Sequence, residues 1–255
     1  MRLLTIAISH FCEKARWALD RAGLPYVEEP HAPLLHVWPV WRAGGGDEVP
    51  VLVTREGVFA DSTDILRFVD ARAGLGLYPA DPERRAEVDA LEDLFDETLG
   101  PHVRRWAYHY VLADKALTRS ALTVGVPGPE RAAFTVARPV IAAGMRRGMN
   151  ITAESAARSR LKIDDMFARA DALLADGRQF LTGDRFTAAD LTFAALAAPL
   201  LGVDGYGPAH VALPAFDALP AALREAAHPL QARPAGALVA RLYRDERRRV
   251  MAPVA

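Results

Sequence analysis

The sequence predicts an α+β domain built on a four-stranded mixed sheet, followed by an all-α domain. Two observations carry that reading. Over residues 1–76, short apolar runs alternate with helical stripes in the order β-α-β, a long connection, then β-β-α. Beyond a cluster of Gly, Pro and Asp between 74 and 82, strand patterns stop and only helical spacing remains. The expected division is a sheet domain at 1–76, a linker at 77–86 and a helical domain at 87–255.

Residues 3–8 form a continuous apolar run bounded by Ser9, the pattern of a strand covered on both faces. Within 11–22, Ala15, Ala18, Leu19 and Ala22 fall on one helical stripe, with Gly23 as a left-handed stop and Pro25 just past it. Tyr26 and Val27 open a second strand, and a loop rich in Pro, His, Trp and Gly runs to Gly46. Residues 49–54 read as the third strand, Glu56-Gly57 as a tight turn and Val58-Phe59-Ala60 as the fourth. Ser62 is expected to cap a helix ending near Ala73. Asp81 followed by Pro82 reads as a cap with proline in the first turn. Helical stripes then cover 83–99, 103–121, 130–147, 153–175, 188–201, 214–227 and 235–250.

Bulk properties narrow the function. The net charge of −1 argues against nucleic acid or an acidic membrane as partner. Arg244, Arg247, Arg248 and Arg249 make one basic patch, read as a helix C-terminus where the dipole favours cations. Cys12 is the single cysteine, so no intramolecular disulfide forms, and a cytoplasmic location is expected. No apolar stretch is long enough to span a bilayer. No metal is expected, because His31 and His36 lack ligand spacing. Gly44-Gly45-Gly46 lacks a following Lys-Ser/Thr and is no phosphate loop.

Four local motifs arrive in one order: Ser9-His10-Phe11-Cys12-Glu13-Lys14-Ala15-Arg16, Val49-Pro50-Val51-Leu52, Asp61-Ser62-Thr63-Asp64-Ile65, and Gly183-Asp184-Arg185-Phe186-Thr187-Ala188-Ala189-Asp190-Leu191. Together they resemble the glutathione-transferase superfamily: a thioredoxin-like N-terminal domain plus a helical C-terminal domain. The first motif resembles the subgroup with a Ser-x-x-Cys active-site segment. The resemblance implies several roles. Ser9 takes the thiol-activating position, Cys12 that of the second, resolving cysteine, and His10 and Phe11 stand where a proline and an aromatic residue are common. Pro50 would form a cis bond that turns the backbone of Val49 toward the cysteinyl part of glutathione. Ser62 and the free N–H groups of its helix would hold the γ-glutamyl carboxylate, and Asp61 its ammonium. In the fourth motif Thr187 caps a helix and Asp190 reaches back, with Phe186 and Leu191 spaced for a hydrophobic staple. The family also implies glutathione as co-substrate, a small hydrophobic electrophile and a homodimer.

Three departures stand out: His10 replaces the usual proline, the loop from His31 to Glu48 has no clear family match, and the segment between Leu112 and Thr152 is long enough to reshape or cover the site. Arg104, Arg105, Trp106, Tyr108, His109 and Tyr110 lie where the family lines its electrophile pocket. Of these, Trp106 and Tyr110, four apart on one helix face, and His109 as an acid or base are the expected pocket residues, with a core pair as the other reading of Trp106 and Tyr110. The expected chemistry is stabilisation of a bound thiolate by Ser9. A non-catalytic thiol-binding protein and a Cys12-dependent oxidoreductase are the alternatives.

Overall fold

The computed structural model describes residues 1–247. Four strands, β1 (Arg2–Thr5), β2 (Val27–Pro30), β3 (Val51–Val53) and β4 (Val58–Phe59), form one sheet in the order β2-β1-β3-β4. β2 runs parallel to β1, while β3 and β4 are antiparallel, giving the mixed sheet expected. The parallel pair is joined through α1 (His10–Arg21), as a crossover requires. Leu3 and Leu4 alternate across β1 and both are fully buried: Leu3 in the main core, Leu4 against Val40 and Val51 on the other face.

The connection expected to be a loop contains a short helix, α2 (Val37–Arg42). It has no capping side chain and is held by Val40, which packs on Leu4 and Val51. In α3 (Ser62–Ala73) the expected cap moves by one residue. Asp61 has extended backbone angles and accepts from the N–H groups of Thr63 (2.7 Å) and Asp64 (3.2 Å), so Ser62 is already helical. Gly74, at φ +62°, closes α3.

Helical structure begins at Pro82, inside the stretch expected to be linker. α4 (Pro82–Leu94) is capped by Asp81, passes through a π turn at Phe95–Leu99 and continues as α5 (Gly100–Val111). The stripe expected to run to residue 121 breaks at Asp114, which caps α6 (Lys115–Leu122). There follow α7 (Gly128–Gly148), α8 (Ala153–Leu174), α9 (Ala188–Leu201), a 3-10 turn at Phe216–Ala218, α10 (Ala221–Gln231) and α11 (Pro234–Asp245).

α9 is the central post of the helical domain. It is buried on all sides except at Pro199, and packs against α1, α4, α5, α10 and α11. Asp190 anchors its start: the carboxylate accepts from Thr187 N–H (2.9 Å), Thr187 Oγ1 (2.9 Å) and Leu181 N–H (2.7 Å). This is the reach-back half of the expected capping box. Phe186 and Leu191, the expected staple pair, are buried in the same core.

Of the basic patch, Arg244 lies in the last turn of α11, at a helix C-terminus as expected, and Arg247 lies just past it. α11 stops at Asp245, Arg244 pairs with that residue, and Arg247 lies buried against Glu13 (2.8 Å) and Asp20 (2.7 Å) of α1. Arg248 and Arg249 lie outside the described residues. Among the described residues no helix is long and apolar enough to cross a membrane.

Candidate active site

Ser9 sits where β1 ends and α1 begins. Its backbone is extended (φ −75°, ψ 125°) and its Oγ accepts from Cys12 N–H at 3.4 Å, so Ser9 is the N-cap of α1. The turn that carries it is fixed from two sides. The buried guanidinium of Arg16 donates to Ala7 O (2.9 Å), and Tyr206, beyond the end of α9, donates to Ile8 O (2.6 Å). Arg16 is itself held by Glu28 (2.8 Å) and Glu13 (3.1 Å). This cation therefore positions the Ser9 turn.

The two residues after Ser9 join the domains. His10 is buried and its Nε2 lies 3.1 Å from Gly100 O. Burial first, then the nearby charge of Arg104, lowers its pKa to about 3, so His10 is neutral. Phe11 packs on the start of α5, where a Cβ on Gly100 would stand 2.4 Å from the ring. Deeper along α1, the buried Lys14 donates to Thr63 Oγ1 (2.8 Å), Asp96 (2.6 Å) and Glu92 (2.8 Å), tying α1 and α3 to the helical domain.

Cys12 is fully buried. Burial pushes its thiol up to about 11, against the lowering influence of Arg16 and Ser9. An attacking thiol needs the opposite shift and an exposed sulfur. The structure thus argues against Cys12 as a reacting group: it packs as a small buried hydrophobe.

A cavity of about 530 Å3 opens beside Ser9. Ile8, Ser9 and His10 form its N-terminal wall. Val103, Arg104, Ala107, Tyr108 and Val111 of α5 form a second, Leu117 and Ala121 of α6 a third, and residues between the end of α9 and Leu223 close it. The segment between Leu112 and Thr152 therefore does cover the site, through α6. α7 instead clamps the connection after β2: Glu130 accepts from Ala32 N–H (2.7 Å) and meets His31 Nδ1 at 2.9 Å.

The pocket residues expected on α5 are displaced around the helix. Trp106 is buried in the main core, edge-on to Tyr110 at 5.0 Å, and His109 stands against Tyr110 at 5.1 Å. None of the three lines the cavity; Arg104 and Tyr108 do. Both pairs have the same four-residue spacing, so spacing alone could not tell which one faces the opening.

The Val49–Pro50 bond is cis, as expected. Val49, Pro50, Asp61 and Ser62 lie outside the cavity lining. Ser62 is buried in the first turn of α3, and Asp61 caps with Oδ1 alone. Among the described residues no group of His, Cys, Asp and Glu is arranged to hold a metal ion.

The family model for the glutathione S-transferase N-terminal domain matches residues 3–79, and that for the C-terminal domain matches residues 153–230, together more than half of the chain. The chain belongs to the glutathione S-transferase superfamily. No curated protein matches it in sequence. Solved structures of glutathione S-transferases share its fold over nearly its whole length. The theta-class enzyme of Xanthomonas axonopodis pv. citri, with glutathione bound, is 21% identical, covers 98% of each chain and has a TM-score of 0.53. Beta-etherase LigF of Sphingobium sp. strain SYK-6 is 20% identical, with 93% of this chain and 97% of that chain covered and a TM-score of 0.59. A glutathione S-transferase of Pseudomonas fluorescens Pf-5 is 14% identical, with 98% and 96% covered and a TM-score of 0.59. The stretch between the two matched glutathione S-transferase domains contains α4 to α7, which supply two of the cavity walls.

Proposed function

We propose that this chain is a glutathione-dependent transferase that joins the thiol of glutathione to a small hydrophobic electrophile, with Ser9 stabilising the thiolate. The observation that carries the reading is the placement of Ser9: it caps α1, lines the cavity and accepts a hydrogen bond from Cys12 N–H, an interaction that does not use its own proton. One charge-assisted hydrogen bond of about 1.5–3 kcal/mol lowers a thiol pKa by roughly one to two units. That raises the thiolate fraction near neutral pH, and the N-terminus of α1 adds to the effect.

The tripeptide would lie along the cis Val49–Pro50 bond. The N–H groups at the start of α3 and Ser62 would receive the γ-glutamyl carboxylate. Asp61 would receive the ammonium through Oδ2, since Oδ1 is engaged in the cap. The glutathione-bound Xanthomonas relative supports glutathione as the thiol. The sulfur attacks the electrophilic carbon, a carbon–sulfur bond forms, and the displaced electron pair leaves with the leaving group or is protonated. We also propose a homodimer in the cytoplasm, on the strength of family membership and of Cys12 as the single thiol.

The test is conjugation kinetics with glutathione across a panel of hydrophobic electrophiles. Ser9→Ala is expected to lower kcat/KM about 10- to 100-fold, whereas Cys12→Ala retains conjugation. Deglutathionylation lost on Cys12→Ala, with conjugation indifferent to Ser9→Ala, would overturn the reading in favour of a thiol oxidoreductase. Tight glutathione binding without turnover would make the chain a binding protein.

A further inference from the structure

Arg104 is a half-buried cation in the wall of an otherwise largely apolar cavity, and it makes no hydrogen bond or ion pair with any other described residue. Its neighbour Arg105 is handled differently: it donates to Met149 O (2.9 Å) and Ser159 Oγ (3.3 Å) and lies 3.2 Å from His102 Nδ1. Removing an arginine partly from water costs free energy unless an anion meets it. Among the described residues none does. Asp204 and Asp217, the carboxylates on the cavity, are both exposed and neither pairs with Arg104. One turn along α5, Tyr108 faces the same space. Burial raises its hydroxyl to about 12, so it remains a hydrogen-bond donor at neutral pH.

We propose that the electrophile taken by this cavity carries a carboxylate, received by the guanidinium of Arg104 while its reactive carbon lies toward Ser9. This rests on the transferase reading for the reaction, though not for the anion site. Apolar walls would hold the body of the substrate, and a planar guanidinium fork matches a carboxylate in two-point contact. Such a pocket, mostly apolar with a few convergent polar groups, fixes orientation through those groups. With an enone, the thiolate sulfur bonds to the β-carbon and the π pair moves to the carbonyl oxygen as an enolate. The proton released on thiol ionisation returns to the α-carbon, so no further reactant is needed.

The experiment compares 4-(3-oxobut-1-enyl)benzoate with its methyl ester as glutathione acceptors. The acid is expected to have a kcat/KM at least about tenfold higher, expressed mainly in KM. Arg104→Gln should collapse that ratio toward unity, and Arg104→Lys should restore part of it. An acid-to-ester ratio near unity in the native chain, or one that survives Arg104→Gln, would overturn the proposal. Calorimetric titration with the saturated acid 4-(3-oxobutyl)benzoate, which cannot react, separates this idea from the transferase reading. If neither enone turns over but the saturated acid binds in an Arg104-dependent way, the anion site stands and the transferase reading fails. Equal turnover of acid and ester sinks the anion site and leaves the transferase reading intact; no binding and no turnover sink both.

Discussion

Lys14 at the seam beneath α1 is surrounded by the oxygens of Thr63, Glu92 and Asp96, while Arg104 on the cavity wall meets none from the described residues. Both cations lie near the junction of the two domains, yet only the first is saturated. Glu13 and Arg16 are buried at the same seam and saturated too, Glu13 receiving Arg16, Arg247 and the N–H of Gly207. The difference separates charges that hold the fold from a charge left facing open space. A buried ion with every partner in place contributes little net stability, but taking away one partner is costly. A half-exposed ion without partners has nothing of that kind to lose.

Several measurements sharpen or break this contrast. The largest effect is expected at the seam: Glu92→Gln or Lys14→Ala should reduce unfolding free energy by about 3–5 kcal/mol, read from denaturant midpoints at constant m-value. A loss below 1 kcal/mol would mean that the seam is not saturated as described.

Next comes the pH dependence of His10. Its folded pKa of about 3 lies below the ordinary value of 6.5, so the unfolded chain binds the extra proton first. The stability linked to neutral His10 is fully present above pH 6.5 and is lost as pH falls toward 3, with a slope of at most about 1.4 kcal/mol per pH unit. Comparing the native chain with His10→Gln isolates this group from other titrating residues, and the variant should lose that slope. Identical pH profiles would show that His10 is not held neutral at the domain junction.

The smallest effect concerns the adjacent arginines. Arg105→Gln removes its hydrogen bonds to Met149 and Ser159 and should cost about 1 kcal/mol. Arg104→Gln should stay within about 0.5 kcal/mol of the native chain. Equal losses from the two would break the distinction between the two faces of α5.

Much of the fold was legible because its signals are local. Strand-length apolar runs, the Asp81-Pro82 start, the Thr187–Asp190 cap and the Val49-Pro50 dipeptide each depend on neighbouring residues. α2 was missed because its six residues have no capping side chain and depend on Val40 reaching Leu4 and Val51, a contact made far along the chain. The stripes at 83–99 and 103–121 were misdivided because the π turn at Phe95–Leu99 keeps the helix going where its spacing slips, and the break falls instead at Asp114. In the site, Ser9 was legible as the residue between the first strand and the first helix, but the choice of Trp106 over Arg104 turned on which side of α5 meets α8 and the core. Arg247 was likewise unreadable as a buried partner of α1, since Glu13 lies more than two hundred residues away.

Gly100 carries a last consequence. Because Phe11 fills the space where its side chain would be, the first turn of α5 meets α1 as bare main chain, latched by the His10 ring. The Ser9 end of the junction is thereby closely fitted: any larger residue at 100 would have to displace the Phe11 ring or act as a shim between α1 and α5. Room in the cavity is set farther out, at Val103, Ala107, Val111 and the connection after α9, where side chains can change size without pressing on that contact.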